Sequence, residues 1–165
     1  QFRTPIGKAS IQKKGNDLTI VASSYMVVES IHASKYLRKH GINCEIIDLR
    51  TIKPIDWDTV FNSIEKTGRL LVVDSGYFTG SIASEIISTV STKRFKYLKS
   101  PPAKLAMPDV PEPTSQALTK NFYIRASHII EMVLDVLDVD KSSIGQKFLD
   151  PEIHDIPGDW FSGPF

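Results

Sequence analysis

Short apolar runs alternate with longer segments in which apolar residues recur at helical spacing. The runs predict extended segments, and those at 17–22, 42–49 and 69–74 are apolar enough to be buried on both faces of a sheet. The periodic segments predict amphipathic helices, because apolar residues three and four positions apart share one helix face. The predicted strands are 9–13, 17–22, 42–49, 69–74 and 103–107, and the predicted helices are 25–40, 57–67, 82–90 and 122–137.

The order of these elements predicts the fold class. Strands and helices alternate from residue 17 to residue 137, which is typical of a three-layer α/β fold with a doubly wound, mostly parallel sheet of about five strands. From Asp140 onward the periodicity stops, yet residues 140–165 carry Phe148, Trp160, Phe161 and Phe165. A disordered segment is normally poorer in aromatic residues, so this irregular C-terminal tail is expected to lie against the domain or a partner.

The composition excludes several classes of function. The 165 residues include 20 Lys and Arg and 19 Asp and Glu, so a net charge of +1 gives no electrostatic case for binding nucleic acid or an anionic membrane. No stretch approaches the roughly 20 apolar residues of a membrane span, and the start has no apolar signal-peptide core. Cys44 lies in an apolar run and is expected to be a buried, inert thiol. The expected location is cytoplasmic.

Two turns follow predicted strands at the edge where parallel α/β sheets bind ligands. The first, "ASSY" at 22–25, presents hydroxyls at a helix N-terminus, which suits an anion or simple helix capping. Capping is favoured, because no glycine-rich fingerprint is present. The second, "DLRTIKP" at 48–54, would suit a carboxylate clamp, with Arg50 as the cation and Asp48 positioning it. The alternatives are an internal Asp48–Arg50 pair and a contact across a subunit boundary.

A third turn, "DSGYFTG" at 74–80, places Asp74 at a strand end and Tyr77 and Phe78 in a glycine-containing loop. Its glycines are compatible with a simple chain turn, and its aromatics with a covered interface. The four histidines have no Cys, Asp or Glu at metal-ligand spacing, and the chain has no Walker loop, G-x-S-x-G, H-E-x-x-H or C-x-x-C motif. The residues alone therefore predict a sheet domain with one candidate anion site and no identifiable catalyst.

Three segments together resemble one known family: 5–56, which ends in "DLRTIKPID", 68–86, which ends in "SIASEI", and 109–113, "DVPEP". They are similar to the C-terminal, transketolase-type domain of the beta subunit of thiamine-diphosphate-dependent 2-oxoacid dehydrogenases, of the pyruvate, branched-chain 2-oxoacid or acetoin type. By this resemblance, residues 1–7 are the end of an interdomain linker and residues 8–139 are the transketolase C-terminal-like domain, followed by the tail at 140–165.

The resemblance implies an enzyme whose chemistry lies outside this chain. The full enzyme uses thiamine diphosphate and Mg to decarboxylate a 2-oxoacid oxidatively, and it passes the acyl group to a lipoyl group. The preceding beta domain and the alpha subunit hold that cofactor, so no catalytic, cofactor-binding or metal residue is carried over and the isolated chain is expected to be inactive. The implied partners are the alpha subunit, a second beta subunit and the lipoyl acyltransferase component.

Assembly and docking to the acyltransferase are therefore the expected roles of this domain. The candidate contact residues come from the glycine loop and the proline-rich turn: Tyr77, Phe78, Asp109 and Pro111. Asp48 and Arg50 are then interpreted as a structural turn or a subunit seam. The alternatives are the equivalent domain of a transketolase or deoxyxylulose-phosphate synthase, a flavodoxin-like module that binds a nucleotide or flavin at "ASSY", and an assembly domain with no enzyme attached.

Overall fold

A central sheet organises the computed structural model, which describes residues 3–119 and 122–141. Its strands are β1 Ser10–Lys13, β2 Leu18–Ala22, β3 Cys44–Asp48, β4 Leu70–Tyr77 and β5 Ala103–Met107. The helices are α1 Tyr25–Lys39, α2 Trp57–Thr67, α3 Ile82–Lys93, α4 Gln116–Thr119 and α5 Ala126–Leu137, and a short 3₁₀ turn at Phe95–Tyr97 follows α3.

The strand order β1-β3-β2-β4-β5 is that of a doubly wound sheet. β3 and β4 flank β2 and pair with it in parallel, and β5 pairs in parallel with β4. β1 is antiparallel to β3, with Ser10 opposite Asp48. The predicted α/β fold with a mostly parallel sheet is therefore confirmed. The turn at 15–17 joins β1 to β2, but these two strands do not pair, because β3 lies between β1 and β2.

Two apolar layers cover the two faces of the sheet. One face packs against α1 and α5, through buried residues such as Leu37 and Val133. The other face packs against α2 and α3, through residues such as Ile64 and Ile86. Every residue of β2 is buried, as its continuous apolarity predicted. The carboxyl ends of the four parallel strands consequently meet at one edge, where the three turns lie.

Three local predictions were wrong. The helix predicted over 122–137 begins at Ala126, because Glu29 of α1 accepts the Ala126 N–H and fixes the first turn there. Ser24 does not cap α1 through its hydroxyl: it has a φ of 52° and makes no side-chain cap hydrogen bond. Tyr77 belongs to β4 rather than to a loop, because it pairs with Met107 of β5.

Candidate functional site

The turn after β3 is held by a contact between its two predicted site residues. The Asp48 carboxylate accepts the Arg50 backbone N–H at 3.1 Å, and its other oxygen lies 3.7 Å from Nε of the Arg50 guanidinium. Arg50 has a φ of 57°, in the left-handed region that costs a non-glycine residue about 1–2 kcal/mol. The hydrogen bond from its backbone N–H helps to offset this cost. This is the geometry of the internal pair, one of the alternatives to a carboxylate clamp.

A cavity of about 530 Å³ brings the first and second turns together. Its lining residues are Thr4, Ser23, Ser24, Asp48, Arg50 and Ile52. The Asp48 carboxylate therefore stands beside the Arg50 guanidinium in the same cavity, and its negative charge opposes the attraction of that guanidinium for an anion. The charges of this acid and this base therefore offset each other within the cavity.

The remainder of "DLRTIKPID" fixes the chain ahead of α2. The Thr51 hydroxyl accepts the Gly7 N–H at 3.1 Å. The buried Asp56 carboxylate accepts the Thr59 N–H at 3.3 Å, the Thr59 hydroxyl at 2.9 Å and the Ala9 N–H at 3.1 Å. Burial alone would raise the pKa of Asp56, but these hydrogen bonds to its charged form hold the pKa below the ordinary value. Asp56 therefore acts as the N-cap of α2 and ties it to the chain before β1.

Asp74 is the last buried residue of β4, and its carboxylate also has a structural role. One of its oxygens accepts the Gly76 N–H at 3.0 Å, and the other accepts the Ala83 N–H at 3.4 Å. Because Ala83 lies in the first turn of α3, the carboxylate satisfies an otherwise unpaired donor at that helix N-terminus. The strand-end acid of the third turn therefore joins β4 to α3.

Tyr77 and Phe78, the two aromatic residues of the third turn, have exposed side chains, while hydrogen bonds hold the backbone of Phe78. Tyr77 is 44% exposed and Phe78 is 48% exposed. The Phe78 N–H donates to the Met107 carbonyl at 2.7 Å, which continues the pairing of β4 with β5. The Lys104 ammonium lies 3.8 Å from the centre of the Phe78 ring, and it donates to the Phe78 carbonyl at 2.6 Å and to the Ser84 hydroxyl at 2.8 Å. The backbone and the Phe78 ring are thus held before any partner binds.

The proline-rich turn lies against this strand end. The Asp109 carboxylate accepts the Thr79 N–H at 2.8 Å and the Thr79 hydroxyl at 2.6 Å, and these two hydrogen bonds hold the pKa of Asp109 below its ordinary value. An open depression of about 540 Å³ results, lined by Tyr77, Thr79, Asp109, Val110 and Pro111. The structure thus brings three of the four predicted contact residues together and adds Val110, which is 51% exposed. We call Tyr77, Phe78, Asp109, Val110 and Pro111 the contact surface.

A buried polar network lies between α1 and α5 and was not predicted from the sequence. Glu29 is only 4% exposed, and it accepts the Tyr25 hydroxyl and the Ala126 N–H, each at 2.7 Å. The Arg125 guanidinium lies 3.7 Å from Glu29 and donates to the Tyr25 hydroxyl at 3.0 Å. Burial, reinforced by Glu29, raises the pKa of Tyr25 to about 12. The signal in the sequence was an acid between Met26 and Ala33 on the apolar face of α1.

The described residues hold no metal-ligand cluster, and Cys44 is an unreactive thiol. Within residues 3–119 and 122–141, no group of three or more His, Cys, Asp or Glu is placed to hold a metal ion. Cys44 is buried, and burial raises its pKa to about 12, which keeps the thiol protonated at neutral pH. In the same part of the chain, no helix combines the length and apolarity needed to cross a bilayer.

The sequence of this chain is similar to those of known proteins. The family model described as "Transketolase, C-terminal domain" matches residues 7–129. The "Pyruvate dehydrogenase E1 component subunit beta" of Rickettsia bellii is 43% identical over 116 residues, which cover 70% of this chain and 36% of that protein. The mitochondrial protein of the same name from Dictyostelium discoideum is 35% identical over 141 residues, which cover 86% of this chain and 40% of that protein.

A solved structure supports the same assignment. It is described as "Split gene transketolase, inactive beta4 tetramer", is 26% identical, has a TM-score of 0.73, and is matched over 84% of this chain and 45% of its own. The expected resemblance to 2-oxoacid dehydrogenase beta subunits is confirmed by the names of the curated relatives, of whose length the chain spans 36% and 40%. The chain belongs to the transketolase C-terminal domain family.

Proposed function

We propose that this chain is the C-terminal domain of the beta subunit of a 2-oxoacid dehydrogenase. The full enzyme decarboxylates a 2-oxoacid oxidatively and transfers the acyl group to a lipoyl group. The similarity to two proteins named pyruvate dehydrogenase E1 component subunit beta carries the proposal, because it extends over 70% and 86% of this chain. Within such an enzyme, this domain serves subunit assembly and docking of the lipoyl acyltransferase component.

The chemistry is assigned to parts of the enzyme outside this domain. Thiamine diphosphate with Mg supplies the decarboxylation chemistry when it is bound there. The roles of the acids at the strand ends support this division: Asp48 pairs with Arg50, Asp56 caps α2, and Asp74 accepts two backbone N–H groups. Each of these three carboxylates therefore has a structural role within the domain.

The contact surface is assigned to the partner subunits, with a second beta subunit as the first candidate and the alpha subunit as the next. Exposed aromatic side chains with an aliphatic neighbour are typical of interface centres. Here the Phe78 N–H bond to Met107 and the two Thr79–Asp109 bonds fix the backbone in advance, so little conformational entropy is lost on binding. The surface therefore has both the composition and the rigidity of a subunit contact.

The equivalent domain of a transketolase is the second candidate. The solved structure described as a split gene transketolase favours it, at 26% identity. The two curated beta-subunit relatives are more similar, at 43% and 35% identity, and they favour the dehydrogenase.

Titration calorimetry tests the non-catalytic role directly. The isolated chain should neither bind thiamine diphosphate in the presence of Mg nor decarboxylate pyruvate or branched 2-oxoacids. Micromolar cofactor affinity would overturn the assignment of the chemistry to other parts of the enzyme. Flavin is the matched control ligand, because quenching of its fluorescence on mixing would instead favour a flavodoxin-like module at "ASSY".

A chimeric subunit tests the family role. The segment of the Rickettsia bellii beta subunit that precedes its region of similarity is joined to this chain and produced with the matching alpha subunit. We expect an alpha–beta assembly with pyruvate-dependent activity, because this domain should substitute for its equivalent. A folded chimera that fails to assemble with the alpha subunit would contradict the proposal, and a transketolase activity would favour the second candidate.

A further inference from the structure

The side chain of His128 bonds to the backbone at the start of α5. Its Nδ1 atom accepts the backbone N–H of Arg125, the N-cap residue of α5, at 3.0 Å. His128 is the third residue of the helix, the position from which a Glu or Gln side chain accepts the N-cap N–H in a capping box. An imidazole therefore takes the place that a carboxylate or an amide ordinarily has.

This hydrogen bond requires one protonation state of the ring. A neutral imidazole has one donor nitrogen and one acceptor nitrogen, and because Nδ1 is the acceptor here, the proton lies on Nε2. The imidazolium has an N–H on both nitrogens and no acceptor. Protonation would place the Nδ1–H against the Arg125 N–H, so the bond would break. Histidine is also the side chain whose ordinary pKa puts this change near neutral pH.

Arg125 connects the capping bond to α1. Its guanidinium donates to the Tyr25 hydroxyl at 3.0 Å and lies 3.7 Å from one carboxylate oxygen of Glu29. The other oxygen of Glu29 accepts the N–H of Ala126, the next residue, at 2.7 Å. The His128 ring therefore fixes the backbone of the residue whose side chain joins α5 to α1.

The groups around His128 act on its ring in both directions. Burial of the half-buried ring lowers its pKa below the ordinary value of 6.5, and the Arg125 guanidinium lowers it further. Glu131, three residues further along α5, and Glu29 of α1 raise the pKa, but the net shift is downward. The folded chain therefore favours the neutral ring, which is the form that the hydrogen bond requires.

We propose that His128 makes the start of α5 sensitive to pH: the neutral ring holds the Arg125 N–H, and protonation breaks this bond and loosens the first turn of α5 from α1. Because the pKa of His128 is lower in the folded state, its contribution to stability is complete above the unfolded value of 6.5. That contribution is lost as the pH falls from 6.5 through the folded-state pKa. The loosening is therefore expected in mildly acidic solution.

Amide hydrogen exchange of the full chain, followed by NMR, tests the proposal. The measured quantity is the protection factor of the Arg125 amide, which corrects for the intrinsic dependence of exchange on pH. It should fall roughly fivefold between about pH 7.5 and about pH 5, since one capping hydrogen bond is lost. A protection factor that stays constant over this range would overturn the proposal.

His128→Gln is the matched variant, because its amide oxygen can accept the Arg125 N–H and its side chain does not titrate. The Arg125 protection factor in this variant should be the same at both pH values. His40→Gln, which removes an exposed histidine at the C-terminus of α1, should show the same fall as the unmodified chain. An equal fall in His128→Gln would assign the pH dependence to another group and overturn the proposal.

The imidazole ¹⁵N chemical shifts test the geometry of the capping bond. At neutral pH, Nε2 of His128 should carry the proton and Nδ1 should have the shift of an acceptor nitrogen, and the ring should titrate below 6.5. His128→Ala, which lacks the acceptor, should show low protection of the Arg125 amide already at neutral pH. A proton on Nδ1 at neutral pH, or full protection of Arg125 in His128→Ala, would refute the capping role.

Discussion

Glu29→Ala is expected to weaken the packing of α5 on α1 more than its single carboxylate suggests. The side chain is 4% exposed and accepts two hydrogen bonds of 2.7 Å, from the Tyr25 hydroxyl and the Ala126 N–H. Alanine fills neither role. The variant therefore leaves the Ala126 N–H without its acceptor, a phenol without its charged acceptor and the Arg125 guanidinium without its carboxylate.

The size of the effect follows from these contacts. Loss of the cap costs about 1 kcal/mol, and loss of a charged acceptor about 2 kcal/mol, so the free energy of unfolding should fall by about 3 kcal/mol. For a chain of this length, that lowers the melting temperature by about 6–12 °C. Burial, and then Glu29, raise the pKa of Tyr25 to about 12, so the variant should also lower this pKa toward 10.0.

The Tyr25 shift has a defined sign for stability. A phenol pKa that is higher in the folded state contributes stability below the unfolded value of 10.0, and this contribution is lost as the pH rises through about 12. The stability advantage of the unmodified chain over Glu29→Ala should therefore shrink above pH 10.0.

Urea unfolding followed by circular dichroism measures the free energy, and tyrosinate absorption measures the phenol pKa. Glu29→Gln is the close control, because its amide oxygen can still accept the Ala126 N–H, so it should lose about 1 kcal/mol less than Glu29→Ala. Glu131→Ala removes an exposed acid from α5 and should change the free energy by less than about 0.5 kcal/mol. A loss below about 0.5 kcal/mol in Glu29→Ala would refute the reasoning.

Three further changes test individual contacts by denaturant unfolding. Arg50→Ala should cost about 0.5 kcal/mol, whereas Arg50→Gly should be about 1 kcal/mol more stable than Arg50→Ala, because only glycine adopts a φ near 57° without strain; the reverse order would contradict this. Gly15→Ala would place a methyl group 2.3 Å from the Asn43 carbonyl oxygen and should cost about 2 kcal/mol or more, and a neutral result would show that the β1–β2 turn can move. Asp56→Asn should lower the free energy of unfolding at pH 7. Because the pKa of Asp56 is depressed in the folded state, its carboxylate contributes stability above the unfolded value of 3.8, and this contribution is lost as the pH falls through the lower folded-state pKa. The difference in stability between the variant and the unmodified chain should therefore disappear at low pH, and a difference that does not change with pH would contradict the assignment.

The main elements could be predicted from the sequence because their apolar patterns are strong. α1 was expected at 25–40 and spans Tyr25–Lys39, and β2 was expected at 17–22 and spans Leu18–Ala22. Both are buried against the same core, so their apolar residues had to follow the period of the helix and the continuous run of a doubly covered strand. The Asp48–Arg50 pair could also be anticipated, because the two residues are only two positions apart.

Contacts between distant residues could not be predicted. The start of α5 depends on Glu29, 97 residues before Ala126, and this contact overrides the apolar pattern that suggested a start at residue 122. The extension of β4 to Tyr77 depends on pairing with Met107, while "SGYFTG" alone is typical of a loop. Docking of the proline-rich turn depends on the two Thr79–Asp109 hydrogen bonds, 30 residues apart. The boundaries at residues 7–8 and 139–140 stay predictions, and residues 142–165 of the expected tail lie outside the described part of the chain.

Sedimentation velocity of the chimeric enzyme tests most directly whether this domain is an assembly module. With the unmodified contact surface, the chimera and the alpha subunit should sediment as one alpha–beta assembly. Tyr77→Arg should give a smaller species, because a charge replaces an exposed aromatic of the contact surface, while Phe95→Arg, at a residue 74% exposed outside that surface, should leave the size unchanged. An assembly of unchanged size in the Tyr77→Arg chimera would contradict the assignment of this surface to subunit contact.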